Sequence, residues 1–294
     1  MSRPGLIGLG TLGEPVARHL LAANPELVVW NRSPEPAARL GEAGATVALD
    51  PVALAESCDT IFLVLSTEQA ADEVLQRDEH GTIGLDIEGR TIVQLATVSP
   101  DHSEALEVAV KAAGGAYVEA PVSGSRVPAE RGELVAMIAG SHAAKARVLP
   151  LFDPFTAKVI DCGDVPGGIA MKLASNVMLV PLMLGIVESM AFAKRAGLDL
   201  AVFGEMLKSG QMASPILKVK VDKILSGDWS PQAQMDNVVT SGGDAVALAH
   251  RLGMADTLLE RALAYVDAAC EEGLDKEDVV AVFKLLVHES PMHD

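Results

Sequence analysis

Over residues 1–160 the chain alternates short, continuously apolar runs with amphipathic stretches. Pro4 to Leu9 reads as a buried strand running into glycines, and Glu14 to Ala23 as a helix. Leu27 to Trp30 reads as a second strand and Pro36 to Gly44 as a second helix. Thr60 to Leu65, Thr91 to Leu95, Ala116 to Val118, Leu134 to Ala139 and Lys158 to Asp161 follow as strands. Strands apolar at every position, separated by helices, imply a parallel sheet covered on both faces. After Gly163-Asp164-Val165-Pro166-Gly167-Gly168 the strand signals stop. Helical periodicity then runs to the end, broken at Gly197, Gly210, Gly227 and Gly253. The pattern therefore predicts two domains, residues 1–164 of α/β type and residues 165–294 all-α, joined by a long helix over Ile169 to Ala196. That helix is apolar nearly all round, so it is expected to be buried, with a kink at Pro181.

Gly8-Leu9-Gly10-Thr11-Leu12-Gly13 follows the first strand and opens the first helix. That context turns a weak G-x-G-x-x-G pattern into a Rossmann dinucleotide-binding fingerprint. Gly8 permits the tight turn, Gly10 lets the backbone approach a pyrophosphate, and Gly13 lets helix and strand pack closely. The N–H groups of Thr11, Leu12 and Gly13 would meet the phosphates. Cofactor choice rests on the end of the second strand, Trp30-Asn31-Arg32-Ser33, with no acid before Glu35. An Arg guanidinium pairs with a 2′-phosphate that a carboxylate would repel. Asn31 and Ser33 add neutral hydrogen-bonding groups. The expected cofactor is NADP(H).

Two further segments carry chemistry. Glu119-Ala120-Pro121-Val122-Ser123-Gly124-Ser125 places small residues and two hydroxyls after a strand. Such a segment leaves room for a ligand and suits a carboxylate, although taken alone it reads more readily as a plain Ser/Gly turn. In Gly167-Gly168-Ile169-Ala170-Met171-Lys172-Leu173-Ala174-Ser175-Asn176, a lysine and an asparagine four apart share one helix face. An ammonium there can stabilise and protonate a carbonyl oxygen.

With these three motifs in order, the chain resembles the β-hydroxyacid dehydrogenase family over essentially its whole length. Ala120-Pro121-Val122-Ser123-Gly124-Ser125 followed by Pro128-Ala129-Glu130 is most similar to its glyoxylate/succinic semialdehyde reductase branch. The resemblance implies a Rossmann domain, a helical C-terminal domain and an active site in the cleft between them. It also implies that Ser123, Gly124 and Ser125 hold a substrate carboxylate and that Lys172 is the catalytic lysine. Asn176 would orient substrate, and Thr97 would sit near the nicotinamide. The implied activity is NADPH-dependent reduction of a small aldehyde or keto acid to the hydroxy acid. Alternatives are reduction of another double bond, such as a cyclic imine, or a cofactor-binding scaffold without chemistry.

One departure stands out. The family carries a Lys-Asp pair on a C-terminal-domain helix, and the matching positions here are Thr240 and Ser241, followed by Gly242 and Gly243. Paired glycines inside a helix cost about 1 kcal/mol each relative to alanine. Loss of the cation leaves room for a less polar pocket shaped by Trp229, Gln234 and Met235. Met212 and Met235 read more simply as core filler.

Composition adds exclusions. The 294 residues are 49% hydrophobic but only 3% aromatic, and 23 basic against 40 acidic residues leave a net charge of −17. That argues against nucleic-acid or anionic-membrane partners, which need clustered Lys and Arg. Cys58, Cys162 and Cys270 are dispersed without a CxxC, and no HxxxH pair occurs, so neither a disulfide framework nor a metal site is expected. His288 and His293 sit in a stretch that reads as a loose tail. The longest apolar run, Val177 to Val187, is about half of the roughly 20 residues a membrane span needs. No signal-peptide pattern is found. The expectation is a cytoplasmic enzyme that takes a small-molecule substrate and forms a homodimer or homotetramer through its apolar helices.

Overall fold

The computed structural model describes residues 3–287. Its first part alternates β1 (Pro4–Ile7), α1 (Gly13–Ala23), β2 (Val28–Trp30), α2 (Pro34–Glu42), β3 (Thr46–Val47), α3 (Pro51–Ser57) and β4 (Thr60–Leu63). It continues with α4 (Glu68–Leu75), β5 (Thr91–Gln94), α5 (Pro100–Ala112), β6 (Ala116–Glu119), β7 (Val122–Ser123) and α6 (Arg126–Glu130). β8 (Leu134–Gly140), α7 (His142–Val148) and β9 (Thr156–Asp161) complete it. The strands form one sheet in the order β3-β2-β1-β4-β5-β6-β8-β7, with β9 beside β8. β1 thus lies between β2 and β4, and a strand order that reverses there opens a crevice at the strands' carboxyl ends.

The expected wholly parallel sheet holds from β3 to β6, but β8 runs antiparallel to β6 and to β7. The connection between β6 and β8 carries only a two-residue strand and one short helix. It does not return the chain to the far edge of the sheet, as a parallel crossover requires. Alternate strand residues feed two cores. Leu6, Val29, Phe62, Val93 and Val118 enter one, and Ile7, Val28, Ile61, Ile92 and Tyr117 the other. Both faces are thereby covered, which is why the strands read as unbroken apolar runs. Each fully buried side chain of this kind is worth about 1.5–3 kcal/mol.

Most helices start on a local cap. Asp50, Thr67, Ser99 and Ser141 each accept an amide of the helix that follows, satisfying donors that would otherwise be orphaned. α1 has no such cap.

The second part is helical: α8 (Gly167–Arg195), α9 (Leu200–Ser209), α10 (Pro215–Ser226), α11 (Met235–Arg251), α12 (Leu258–Glu271) and α13 (Val282–Val287). α8 starts two residues before the expected helix and contains Pro181. It is long and apolar enough to span a membrane by length and composition, with a mean hydropathy of 1.8 over its most apolar window, and only 39% of that window is buried, short of the burial expected for it. The chain divides into two compact units, one ending at Lys172 and the other starting at Leu173. This division by packing falls inside α8, eight residues beyond the 164/165 boundary expected from the sequence.

In the second unit, Lys220 Nζ donates to both oxygens of Asp278 at 2.7 and 2.9 Å. Asp278 also accepts the amides of Gln232, Ala233 and Val280. Both side chains are almost fully buried, and the set closes the turn between α10 and α11.

Candidate active site

The first unit builds a phosphate cradle from its glycines. Gly8 has φ +99°, and a Cβ there would run into the Val64 carbonyl oxygen. A Cβ on Gly13 would strike the Gly8 carbonyl oxygen, so α1 begins pressed against the turn. Gly10 is the opposite case: it is exposed, and a Cβ would meet nothing within 4 Å. The amides of Thr11, Leu12 and Gly13 find no acceptor among the described residues. Uncapped N–H groups at the positive end of a helix dipole, beside open space, fit a pyrophosphate. A cavity of about 730 Å³ adjoins them, lined by Gly10, Thr11, Glu14, Arg39 and Arg126 among others.

Glu14 would oppose an anion here, but it is neutralised. Arg39 reaches it at 2.5 Å and Arg18 at 2.8 Å. The Arg39 hydrogen bond, reinforced by Arg18, holds its carboxyl down at about 2.

At the end of β2, Asn31 serves the protein itself. Its Oδ1 accepts the Leu9 amide at 2.9 Å and its Nδ2 donates to the Ser33 carbonyl at 2.9 Å. Asn31 therefore ties the glycine loop to β2 rather than presenting a loose amide. Arg32 and Ser33 are exposed, and Arg32 makes no ion pair or hydrogen bond among the described residues.

Thr97 follows β5 and is half-buried. Ser123 lies on β7, and Ser125 precedes α6 without capping it. Neither hydroxyl is engaged within the described residues. Between them Gly124 has φ +125°, and a Cβ would press on Leu134 and Pro128 at 2.7 and 3.0 Å. The sharp turn that presents the two serines thus depends on glycine.

Lys172 stands one turn into α8. Part of its side chain stays accessible, and burial of the rest holds its ammonium below the ordinary lysine range. Asn176 is one turn further along the same face, 5% exposed, its amide unengaged among the described residues.

Sequence reasoning overlooked Glu119, the last residue of β6. It is fully buried and accepts from Ser103 Oγ at 2.5 Å. Its other oxygen accepts the amides of Gly168 at 2.6 Å and Ile169 at 3.1 Å. Partners so distant in sequence leave no local signal.

In the second unit, Thr240 and Ser241 donate to the carbonyls of Asp236 and Asn237 on their own helix. α11 runs unbroken through Gly242 and Gly243. A Cβ at Gly242 would meet Leu263 at 2.6 Å, so this glycine admits α12 at close range; Gly243 faces open space. Trp229 stacks on Phe283 with ring centroids 6.4 Å apart, and Lys284 lies over its ring. Met235 is core, as expected, but Met212 is 66% exposed and is not core filler. Among the described residues no group of three or more His, Cys, Asp or Glu could hold a metal. His288 and His293 lie outside the described residues.

Comparison with known proteins fits this layout. Residues 3–163 match the NAD binding domain of 6-phosphogluconate dehydrogenase. Residues 167–286 match the NAD-binding domain of NADP-dependent 3-hydroxyisobutyrate dehydrogenase. Glyoxylate/succinic semialdehyde reductase 1 of Arabidopsis thaliana is 31% identical over 227 residues, covering 77% of this chain and 78% of the relative. A 3-hydroxyisobutyrate dehydrogenase from Salmonella typhimurium superposes with a TM-score of 0.86 at 27% identity, covering 96% of this chain and 99% of that one. Psf3, solved in complex with NADP+ and 2-OPP, gives a TM-score of 0.86 at 26% identity, again covering 96% and 99%. With a dinucleotide cradle in one family domain and Lys172 and Asn176 on the first helix of the other, this chain belongs to the β-hydroxyacid dehydrogenase family and is an NAD(P)-dependent oxidoreductase.

Proposed function

We propose that the protein is an NADPH-dependent reductase of a small aldehyde or keto acid that carries a carboxylate, of the glyoxylate or succinic semialdehyde class. The observation that carries this reading is the pairing of Lys172 and Asn176 on one helix face, with burial easing proton release from the lysine. The loop of Gly8, Gly10 and Gly13 would hold the pyrophosphate of a nicotinamide dinucleotide, which would supply hydride when bound. Lys172 stabilises the negative charge that grows on the carbonyl oxygen and donates a proton to it, leaving a hydroxyl and a neutral amine that solvent reprotonates. Asn176 orients the substrate without adding a competing charge. Ser123, Gly124 and Ser125 supply hydroxyls and a backbone turn for the carboxylate. Relatives named as glyoxylate/succinic semialdehyde reductases support this substrate class.

NADPH oxidation followed at 340 nm against glyoxylate, succinic semialdehyde, an uncharged aldehyde of similar size and a cyclic imine tests the reading. Turnover of the two acids alone is expected. A preference for the uncharged aldehyde or the imine would replace it with a second reading, which one observation favours. Thr240 and Ser241 bring no charge, and both hydroxyls are already engaged on their own helix.

The proposed preference for NADPH over NADH rests on Arg32, which is exposed, and unpaired among the described residues, beside a strand end without an acid. Arg32→Ala is expected to lower kcat/KM with NADPH by at least about tenfold, the loss of one charge-assisted phosphate contact. With NADH the value should hardly move. Equal losses with both cofactors would discard Arg32 as the selector. The chain is further proposed to act as a homodimer, because α8 exposes Met178 and Phe192 to 72% and 74%.

A further inference from the structure

The amides at the start of α8 are all engaged, and the manner is unusual for this protein. Gly167 N–H donates to the Asp164 carbonyl and Ala170 N–H to the Pro166 carbonyl, both at 2.8 Å. The two between them, Gly168 and Ile169, share one oxygen of Glu119, a residue 49 positions upstream at the end of β6. α3, α4, α5 and α7 take their caps from the residue just before them. α8 takes its cap from the sheet. The approach is close: a Cβ on Gly168 would lie 2.6 Å from the Met137 carbonyl oxygen and 3.1 Å from Glu119 Oε1. Only glycine lets the helix start this near the strand ends.

Glu119 is itself held. Its second oxygen accepts from Ser103 Oγ, which lies 3.0 Å from the Tyr117 hydroxyl, and all three side chains are buried. The carboxylate thus has one oxygen on the α5 side and one on α8, with the main chain of the 121–125 loop beginning two residues beyond it. Burial is the largest influence and leaves the Glu119 carboxyl above the ordinary carboxylate range, with the hydrogen bonds from Ser103, Ile169 and Gly168 offsetting part of the rise. The two amides on Oε1 need only an acceptor there, which the carboxyl offers in either protonation state.

We propose that Glu119 is a positioning residue for Lys172: by capping Gly168 and Ile169 from the end of β6, it fixes the rotation and depth of the helix turn that carries the lysine. Ile169 precedes Lys172 by three residues, less than one turn, so a shift at the cap passes to the lysine almost undiminished. The same strand end roots the Ser123–Ser125 loop, so one carboxylate sets the lysine relative to the groups proposed to hold substrate. This role rests on the reading of Lys172 as proton donor.

Glu119→Leu and Glu119→Gln test it in the full-length protein. Leucine removes every acceptor; glutamine keeps an oxygen for the two amides. Turnover of the Leu variant is expected to fall about tenfold to a hundredfold, the effect of displacing a catalytic group by a fraction of an ångström to one ångström. NADPH affinity should stay near wild type, and glutamine should restore most of the loss. Unchanged turnover in the Leu variant, or a loss that follows NADPH affinity, would overturn the proposal.

A second readout needs no substrate. The pH dependence of Lys172 acylation, followed by peptide mass spectrometry, should move toward that of an ordinary lysine in the Leu variant and stay near wild type in the Gln variant. Identical profiles in all three proteins would overturn the positioning role even if no carbonyl substrate had been found, whereas a shifted profile with no turnover would fault only the proposed reaction. Should the Leu variant not fold, hydrogen exchange in the wild-type protein decides. Gly168 and Ile169 amides must be protected like those in the middle of α8, and loop-like exchange there would refute the cap.

Discussion

Lys172→Ala is expected to lower carbonyl-reducing turnover by about 10²–10⁴-fold, the range for loss of a positioned general acid. NADPH binding should survive, because the glycine cradle is built from β1 and α1 and owes nothing to α8. Lys172→Met, which keeps length without charge, should behave like the alanine variant. The pH profile gives an independent check. Burial holds the lysine below its ordinary value, and reduction needs the ammonium. Turnover in the reducing direction should therefore fall as pH rises through that lowered pKa. Oxidation of the hydroxy acid needs the neutral amine as base and should rise over the same interval. Near-normal turnover in both variants would remove Lys172 from the reaction.

The glycine loop offers a second large effect, and it splits cleanly in two. Gly8→Ala forces a side chain onto φ +99° and into the Val64 carbonyl. The backbone strain alone costs about 1–3 kcal/mol, before the collision is counted, so the variant should show a large loss in chemical denaturation or fail to fold. Gly10→Ala meets nothing in the protein, so stability should stay within about 0.5 kcal/mol of wild type. Its methyl group instead occupies the space beside the free amides of Thr11 and Leu12. NADPH affinity is expected to drop by about tenfold or more, equivalent to about 1.4 kcal/mol. If the two variants lost stability and affinity in parallel, the distinction between a turn-forming glycine and a ligand-facing one would be wrong.

These glycines were readable in the sequence because their pattern is local: a strand, a tight turn and a helix start within thirteen residues. The lysine–asparagine face of α8 was readable for the same reason. Features that depend on distant partners were not. Nothing near Asn31 announces that its amide braces Leu9, and it read simply as a polar group at a strand end. Glu119 looked like the edge of a small-residue loop, because its partners at positions 103, 168 and 169 meet it only in the folded sheet. The direction of β8 was equally hidden, since an apolar run looks the same whichever way it pairs. Gly242 seemed a defect in its helix until Leu263 of α12 was seen lying against it. Met212 shows the converse: an apolar residue with no periodic partner was assumed to be inside and is not.

The boundary between the two compact units has a consequence for how this architecture can be recombined. It runs through α8 just after Lys172, so Lys172 packs with the sheet unit and Asn176 with the helical one, whereas the family domains meet earlier, between residues 163 and 167, and keep the two together. A chimera joined at Lys172–Leu173 would keep Lys172 with the Glu119 cap of its own parent. It would import the partner's residue at position 176 and everything downstream, including the positions of Thr240 and Ser241. Exchange at that point would change the helical unit while leaving Lys172 on its capped helix turn, whereas a joint in the Pro/Gly-rich stretch would separate Lys172 from the carboxylate that caps its helix.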